Sequence, residues 1–174
     1  QKGKENDKDY IILSNGKRFL LSESASGLQA VIPAILIFEH FAQDDRKKSY
    51  TFEEPELNLL PSKQKSLVEL LAEKVLSNGH KVVITTHSPY ILTSINNLLL
   101  ASQIQQKYPG SEKELIKASG LSLNSFISSS DIAVYYLSTE ENVEYAKSLI
   151  NEEEDNGMIP GNDLDSASGE IMYV

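Results

Sequence analysis

Apolar positions follow two rhythms along the chain, and the change from one to the other marks out its elements. Residues 1–9 carry no apolar side chain and are expected to form a frayed, disordered tail. Tyr10 to Ser14 and Lys17 to Leu21 are short β-prone runs on either side of Asn15-Gly16. Asn-Gly supplies the two positive-φ positions of a type I′ turn, so a hairpin is predicted. The period then lengthens. Leu28, Val31, Ile32, Ile35, Leu36 and Phe38 recur at helical spacing and predict a helix from about Gly27 to about Gln43. Pro33 removes one of its backbone bonds and is a candidate kink. The serines ahead of it offer hydroxyl acceptors to the free N–H groups of the first turn. Asp44 to Lys48 reads as a charged turn.

Ser49 to Glu53 returns to a strand rhythm, and a helix is predicted from Pro61 to Ser77. Pro61 suits a first helical position, and Leu67, Leu70, Leu71 and Val75 make the buried stripe. Asn78-Gly79 closes this helix with residues that tolerate a left-handed cap. The unalternating Lys81 to Thr86 predicts a parallel strand buried on both faces. Ser88 as N-cap and Pro89 at the first helical position start a further helix to about Gln106. Strand-then-helix order implies α/β architecture: a parallel sheet flanked by helices, joined by right-handed crossovers.

After Pro109-Gly110 the rhythm weakens. Glu112 to Ala118 predicts a short helix, Asp131 to Leu137 and Val143 to Ile150 two antiparallel strands, and Asp163 to Tyr173 a last helix. Residues 10–110 thus form the main body, and 111–174 a small C-terminal β/α extension of the same domain. Neither an internal repeat nor a low-complexity tract interrupts this order.

Composition narrows the class. The 174 residues suffice for one domain with a real core, and 40% apolar with 24% charged residues is the balance of a soluble globular protein. The absence of cysteine excludes disulfides and thiolate metal sites and accords with a cytoplasmic setting. No apolar run has the length of a membrane span and no signal-peptide pattern opens the chain, so no membrane partner is expected. The net charge of −9, from 25 acidic and 16 basic residues, repels a phosphate backbone and argues against a free-standing nucleic-acid binder. Part of that charge lies in Asn151 to Asp155, read as a solvated turn. Because the first residue is glutamine, the chain is expected to be a piece of a longer protein.

Candidate chemistry sits at two strand ends. Ser49-Tyr-Thr-Phe-Glu-Glu-Pro-Glu56 ends in carboxylates around a proline, and Val82-Val-Ile-Thr-Thr-His-Ser-Pro89 ends in hydroxyls around a histidine. Roughly thirty residues separate them, the length of a βαβ unit, so side-by-side strands would bring Glu53, Glu54 and His87 to one sheet edge. In α/β folds ligands collect at such carboxyl ends. Adjacent strand residues point to opposite faces, so Glu53 and Glu54 can take separate roles. One can hold a hydrated Mg²⁺ and the other polarise a water. An isolated Glu-Glu pair more often just marks a strand end; the neighbouring motif shifts that balance. His87 precedes a helix N-terminus, where anions are attracted, and can contact a terminal phosphate. His40 and His80 read as structural. Ser22, Ser24, Ser26 and Gly27 open the first long helix as an anion cradle, or equally as an ordinary cap.

Leu21-Ser-Glu-Ser-Ala-Ser-Gly-Leu-Gln29, Tyr50-Thr-Phe-Glu-Glu-Pro-Glu-Leu-Asn-Leu-Leu-Pro61 and Val83-Ile-Thr-Thr-His-Ser-Pro-Tyr-Ile-Leu92, in that order, resemble the ABC-type ATPases. Within these the chain looks most like the bacterial AAA-labelled ATPases related to the overcoming-lysogenisation-defect, RecF and SMC-type groups. The match covers roughly residues 20–106, and its second and third blocks are specific as a pair. The resemblance implies part of a P-loop NTPase fold of ABC type, with ATP and Mg²⁺ as cofactors. Glu53 would be the Walker B acid near the metal, Glu54 the glutamate that orients water, and Leu57 to Pro61 the D-loop. His87 would be the switch histidine facing the γ-phosphate. Ser26 and Gly27 would lie in the signature motif, which contacts ATP bound to the opposite subunit of a head-to-tail homodimer. Any DNA partner would be held by other parts of the parent protein, in DNA repair or phage defence.

Two departures stand out. Ala25 directly precedes Ser26-Gly27, which leaves Ser24 and Ser26 as alternative signature serines. No Gly-x-x-x-x-Gly-Lys-Ser/Thr occurs; the only Gly-Lys pairs are Gly3-Lys4 and Gly16-Lys17, and neither is followed by Ser or Thr. The P-loop is therefore expected upstream, and the chain by itself is expected to bind ATP poorly. The alternatives are a metal-dependent nuclease built on Glu53, Glu54, Glu56 and His87, and a non-catalytic interaction module that keeps the fold. Glu140, Glu141, Asp163 and Asp165 form no recognisable Toprim pattern and read as surface acids.

Overall fold

The computed structural model describes residues 8–41, 46–76, 78–137, 146–150 and 156–160. Across these the chain is mixed α/β, with three two-stranded sheets and four α-helices. The expected end of the first helix at Gln43, the acids Asp44, Glu140, Glu141, Asp163 and Asp165, the run Asn151 to Asp155 and the helix after Asp163 lie outside the described residues.

Strands β1 (Tyr10–Ile12) and β2 (Arg18–Leu20) pair antiparallel, Tyr10 opposite Leu20. Their turn is not the predicted type I′. Asn15 keeps a negative φ; only Gly16 is left-handed, at +80°. The Gly16 N–H donates to Leu13 O (2.8 Å) and the Leu13 N–H to Lys17 O (2.9 Å). This is the three-residue loop closed by a glycine bulge, which needs one positive φ instead of two.

Helix α1 (Ser26–Phe41) contains Pro33. Serine capping does not occur at its start. The Ala25 carbonyl accepts the first helical bonds, from Leu28 and Gln29, while the Ser24 hydroxyl donates backwards to Leu21 O at 2.6 Å. The Gln29 amide group then ties the turn together by donating to Ser24 O and Ser22 O.

Strands β3 (Ser49–Glu53) and β4 (Lys81–Thr85) pair in parallel, in a register from Ser49 opposite Lys81 to Glu53 opposite Thr85. Tyr50, Phe52, Val82 and Ile84 face a core formed by Phe38 of α1 and by Leu67, Leu71 and Val75. The Phe38 ring meets Tyr50 edge-on at 5.1 Å and Phe52 at 5.6 Å. The opposite face is open. β4 therefore alternates, with Val83 51% exposed, instead of being buried on both sides. Its unbroken apolar run fits a strand covered twice, but the described helices lie on one face.

Helix α2 (Pro61–Leu71) continues into a π-helical turn, Ala72–Leu76, in place of the single α-helix expected to Ser77. His80 follows, 7% exposed, its Nδ1 accepting the Lys48 N–H and its ring edge-on to Tyr50, as a structural histidine should be. On the far side of α2, Val68 and Ala72 join Ile91, Leu98, Leu99 and Ala101 of α3 (Pro89–Lys107). Full burial of one such leucine contributes about 1.5–3 kcal/mol.

The same core takes in Leu121 and Ile127, beyond α4 (Glu112–Ser119), and Ile159. Asn96 of α3 pins the last of these, its side-chain amide bonding both the N–H and the C=O of Ile159 at 2.8 Å each. Strands β5 (Tyr135–Leu137) and β6 (Ala146–Ser148) pair antiparallel as expected; β5 starts later than Asp131 and β6 ends before Ile150, while the predicted start of β6 at Val143 lies outside the described residues. No helix among the described residues is long and apolar enough to cross a membrane.

Candidate functional site

The parallel register delivers the two motifs to one edge. After the last pair, Glu53 with Thr85, the Glu54 N–H still bonds Thr85 O at 2.8 Å, and then both chains leave the sheet together. The departure after β3 is abrupt because Pro55 cannot extend the ladder. Glu54 adopts φ +43° and Asn58 φ +63°. Leu57 N–H returns to Glu54 O and Leu59 N–H to Glu56 O, folding 54–59 into successive turns. A left-handed Asn is routine, whereas a left-handed Glu is strained, by about 1–2 kcal/mol.

That turn aims Glu54 at the other motif. Its Oε1 lies 3.2 Å from His87 Nε2, with the two side chains 41% and 78% exposed. A pair so open to water adds little stability. Its interest is placement: a carboxylate and an imidazole share one exposed edge.

Glu56 reaches the same loop from below. Its Oε1 accepts from Thr86 Oγ1 (2.7 Å) and from the His87 N–H (2.8 Å). The Thr86 oxygen in turn accepts the Ser88 N–H at 3.0 Å. The Ser88 hydroxyl accepts from the Tyr90 N–H, capping α3 as predicted, and donates to Gln64 Oε1 at 2.6 Å. Gln64 Nε2 donates to Leu59 O at 3.0 Å. One unbroken chain of bonds thus ties the loop after β3 to the start of α3. Sequence reasoning gave Glu56 only as a nuclease ligand and missed Thr86 and Gln64 as connectors. Gln64 did leave a signal: it is a polar residue on the stripe shared with Leu67 and Val68.

The start of α1 joins this assembly through the same loop. A Cβ on Gly27 would stand 2.8 Å from Asn58 O and 2.9 Å from Leu59 Cδ2. The space beside Gly27 is therefore filled by the 58–59 backbone and side chain. Of the two serines expected as alternatives for a signature contact, Ser24 commits its hydroxyl to Leu21 O, while Ser26 is exposed and its hydroxyl has no partner among the described residues.

Glu53 ends β3 exposed on the open face of the sheet, with no hydrogen bond or ion pair among the described residues. A single free carboxylate at a strand end fits Mg²⁺, which commonly takes one or two protein carboxylates together with substrate phosphates. No group of three His, Asp or Glu side chains able to hold a metal exists among the described residues. Glu54 turns to His87 and Glu56 to the loop, so the four residues of the nuclease reading do not converge.

A family model described as an AAA ATPase domain matches residues 1–92 of the 174. The matched span contains Ser24, Ser26, Gly27, Glu53, Glu54 and His87, and it ends in the first turn of α3. Comparison with curated proteins and with solved structures finds no match.

Proposed function

The chain belongs to the AAA ATPase domain family, and from that premise we propose that it supplies the hydrolytic edge of an ABC-type ATP site. The carrying observation is the 3.2 Å approach of Glu54 Oε1 and His87 Nε2 at adjacent ends of two parallel strands. Glu54 orients a water for in-line attack on the γ-phosphorus. The new bond forms from the water oxygen as the bond to the β–γ bridging oxygen breaks; ADP leaves with that electron pair, and the proton the water gives up passes to the Glu54 carboxylate. His87 holds a γ-phosphate oxygen and thereby the line of attack. Glu53 would hold Mg²⁺, which when bound neutralises charge developing on the phosphate oxygens. In the proposed head-to-tail homodimer, Ser26 rather than Ser24 reaches the partner's ATP, because only Ser26 has an uncommitted hydroxyl.

The phosphate grip comes from a P-loop outside these 174 residues, since the required Gly-Lys-Ser/Thr motif does not occur in them. DNA, if it is the object of the ATPase in repair or phage defence, meets other parts of the protein, because the −9 charge of this part repels it. A cytoplasmic setting belongs to the same reading.

The test compares Mg-ATP hydrolysis by the P-loop-containing protein with that of its Glu54→Gln variant. Turnover should fall about 10²-fold or more with ATP still bound. Calorimetry on the 174 residues alone should show weak binding. Parental turnover in the variant, or tight Mg-ATP binding by the 174 residues, would sink the reading.

A further inference from the structure

We infer that Glu56 is the positioning residue of the His87 loop, a single carboxylate oxygen that sets where the imidazole stands. The inference rests on the reading of Glu54 and His87 as ATP-site residues. His87 is 78% exposed, so packing does not fix its ring. Besides the exposed contact to Glu54, its direction comes from its backbone, and the backbone is held by Glu56. Oε1 accepts the His87 N–H at 2.8 Å and the Thr86 hydroxyl at 2.7 Å across 31 and 30 residues of chain. Both bonds end on one carboxylate oxygen, an acceptor stronger than a neutral carbonyl or hydroxyl when charged.

Two features separate Glu56 from a solvated loop acid. Its Oε2 is buried and has no partner among the described residues. A surface carboxylate with nothing to hold would turn that oxygen to water, since a buried unmet acceptor is unfavourable. The carboxylate is kept in place by what Oε1 holds. The second feature is its position two residues after Glu54. The loop that aims the carboxylate of Glu54 also carries the group that anchors its imidazole partner, so both members of the pair are referred to one frame. Thr86 extends the frame: by donating to Glu56 it keeps a lone pair for the Ser88 N–H, and so fixes the α3 start as well.

The test uses Glu56→Ala, Thr86→Val and Thr86→Ser with two readouts. Amide exchange by NMR on the 174-residue chain reads the clamp without any nucleotide. In Glu56→Ala the His87 amide should exchange about 10-fold faster or more, while amides in the middle of α3 stay unchanged. Steady-state kinetics on the P-loop-containing protein reads the consequence: kcat falls about 10²-fold with KM within about 3-fold, as expected for misplacement by about 1 Å. Thr86→Val should show a smaller loss that Thr86→Ser recovers, and it serves as the test if Glu56→Ala does not fold. Unchanged His87 exchange overturns the clamp, and faster exchange with unchanged kcat overturns its positioning role. If the parent protein hydrolyses no ATP, the ATPase reading fails on that result, while the exchange data still decide the clamp.

Discussion

Gly27 and Asn58 approach so closely that a methyl group on Gly27 would lie 2.8 Å from the Asn58 carbonyl oxygen. The obstructing atom is backbone, inside a turn held by the Leu57 and Leu59 N–H groups, so it cannot swing aside as a side-chain tip would. Alanine at a helical glycine ordinarily gains up to about 1 kcal/mol. Here overpacking of about 1–3 kcal/mol opposes that gain. Gly27→Ala should destabilise the chain by about 1–2 kcal/mol in urea unfolding. A neutral or stabilising result would show that α1 does not rest on this loop in solution.

The left-handed backbone of Glu54 makes a comparison of two small substitutions informative. At an ordinary position alanine is about 0.5–1 kcal/mol better than glycine, which loses more freedom on folding. At φ +43° alanine keeps the strain of about 1–2 kcal/mol, and glycine removes it. Both substitutions equally lose the exposed contact to His87. Glu54→Gly should therefore be more stable than Glu54→Ala by about 0.5–1 kcal/mol, reversing the usual order. Thermal or urea unfolding measures it, and the usual order would mean that residue 54 is not left-handed in solution.

How far these relationships can be read from sequence depends on whether they are local. Strands β3 and β4 and the N-cap and proline of α3 were legible because each is set by neighbours within a few residues. The arrival of Glu53, Glu54 and His87 at one sheet edge was legible because a βαβ spacing brings two strand ends together, and the observed register does so. Glu56 was not legible as an anchor, because its partners lie 30 and 31 residues away and only the register selects them. Gly27 was legible as part of an anion cradle, but what lies against it is a loop of the same chain. Ser24 pointed to capping, and a competing local bond to Leu21 O took its hydroxyl. Val83 was misjudged because the identity of a strand residue does not say how many layers cover it.

The buried Ser88–Gln64 bond joins the two sides of the site and its strength can be isolated. Both residues are 7% exposed, and the Ser88 hydroxyl serves twice, as donor to Gln64 and as cap for Tyr90. Ser88→Ala removes the cap, worth about 1 kcal/mol, and leaves Gln64 Oε1 buried without a donor, worth about 1–3 kcal/mol more. A total loss of about 2–4 kcal/mol is expected. Gln64→Leu removes the stranded acceptor and its bond to Leu59 O together. In the double variant no orphaned Gln64 oxygen remains, so the two losses should fall short of their sum by about 1 kcal/mol. Strict additivity in a urea-unfolding cycle would mean that the 2.6 Å bond does not form in solution, and that the loops after β3 and β4 are held together by Glu56 and the exposed Glu54–His87 contact without it.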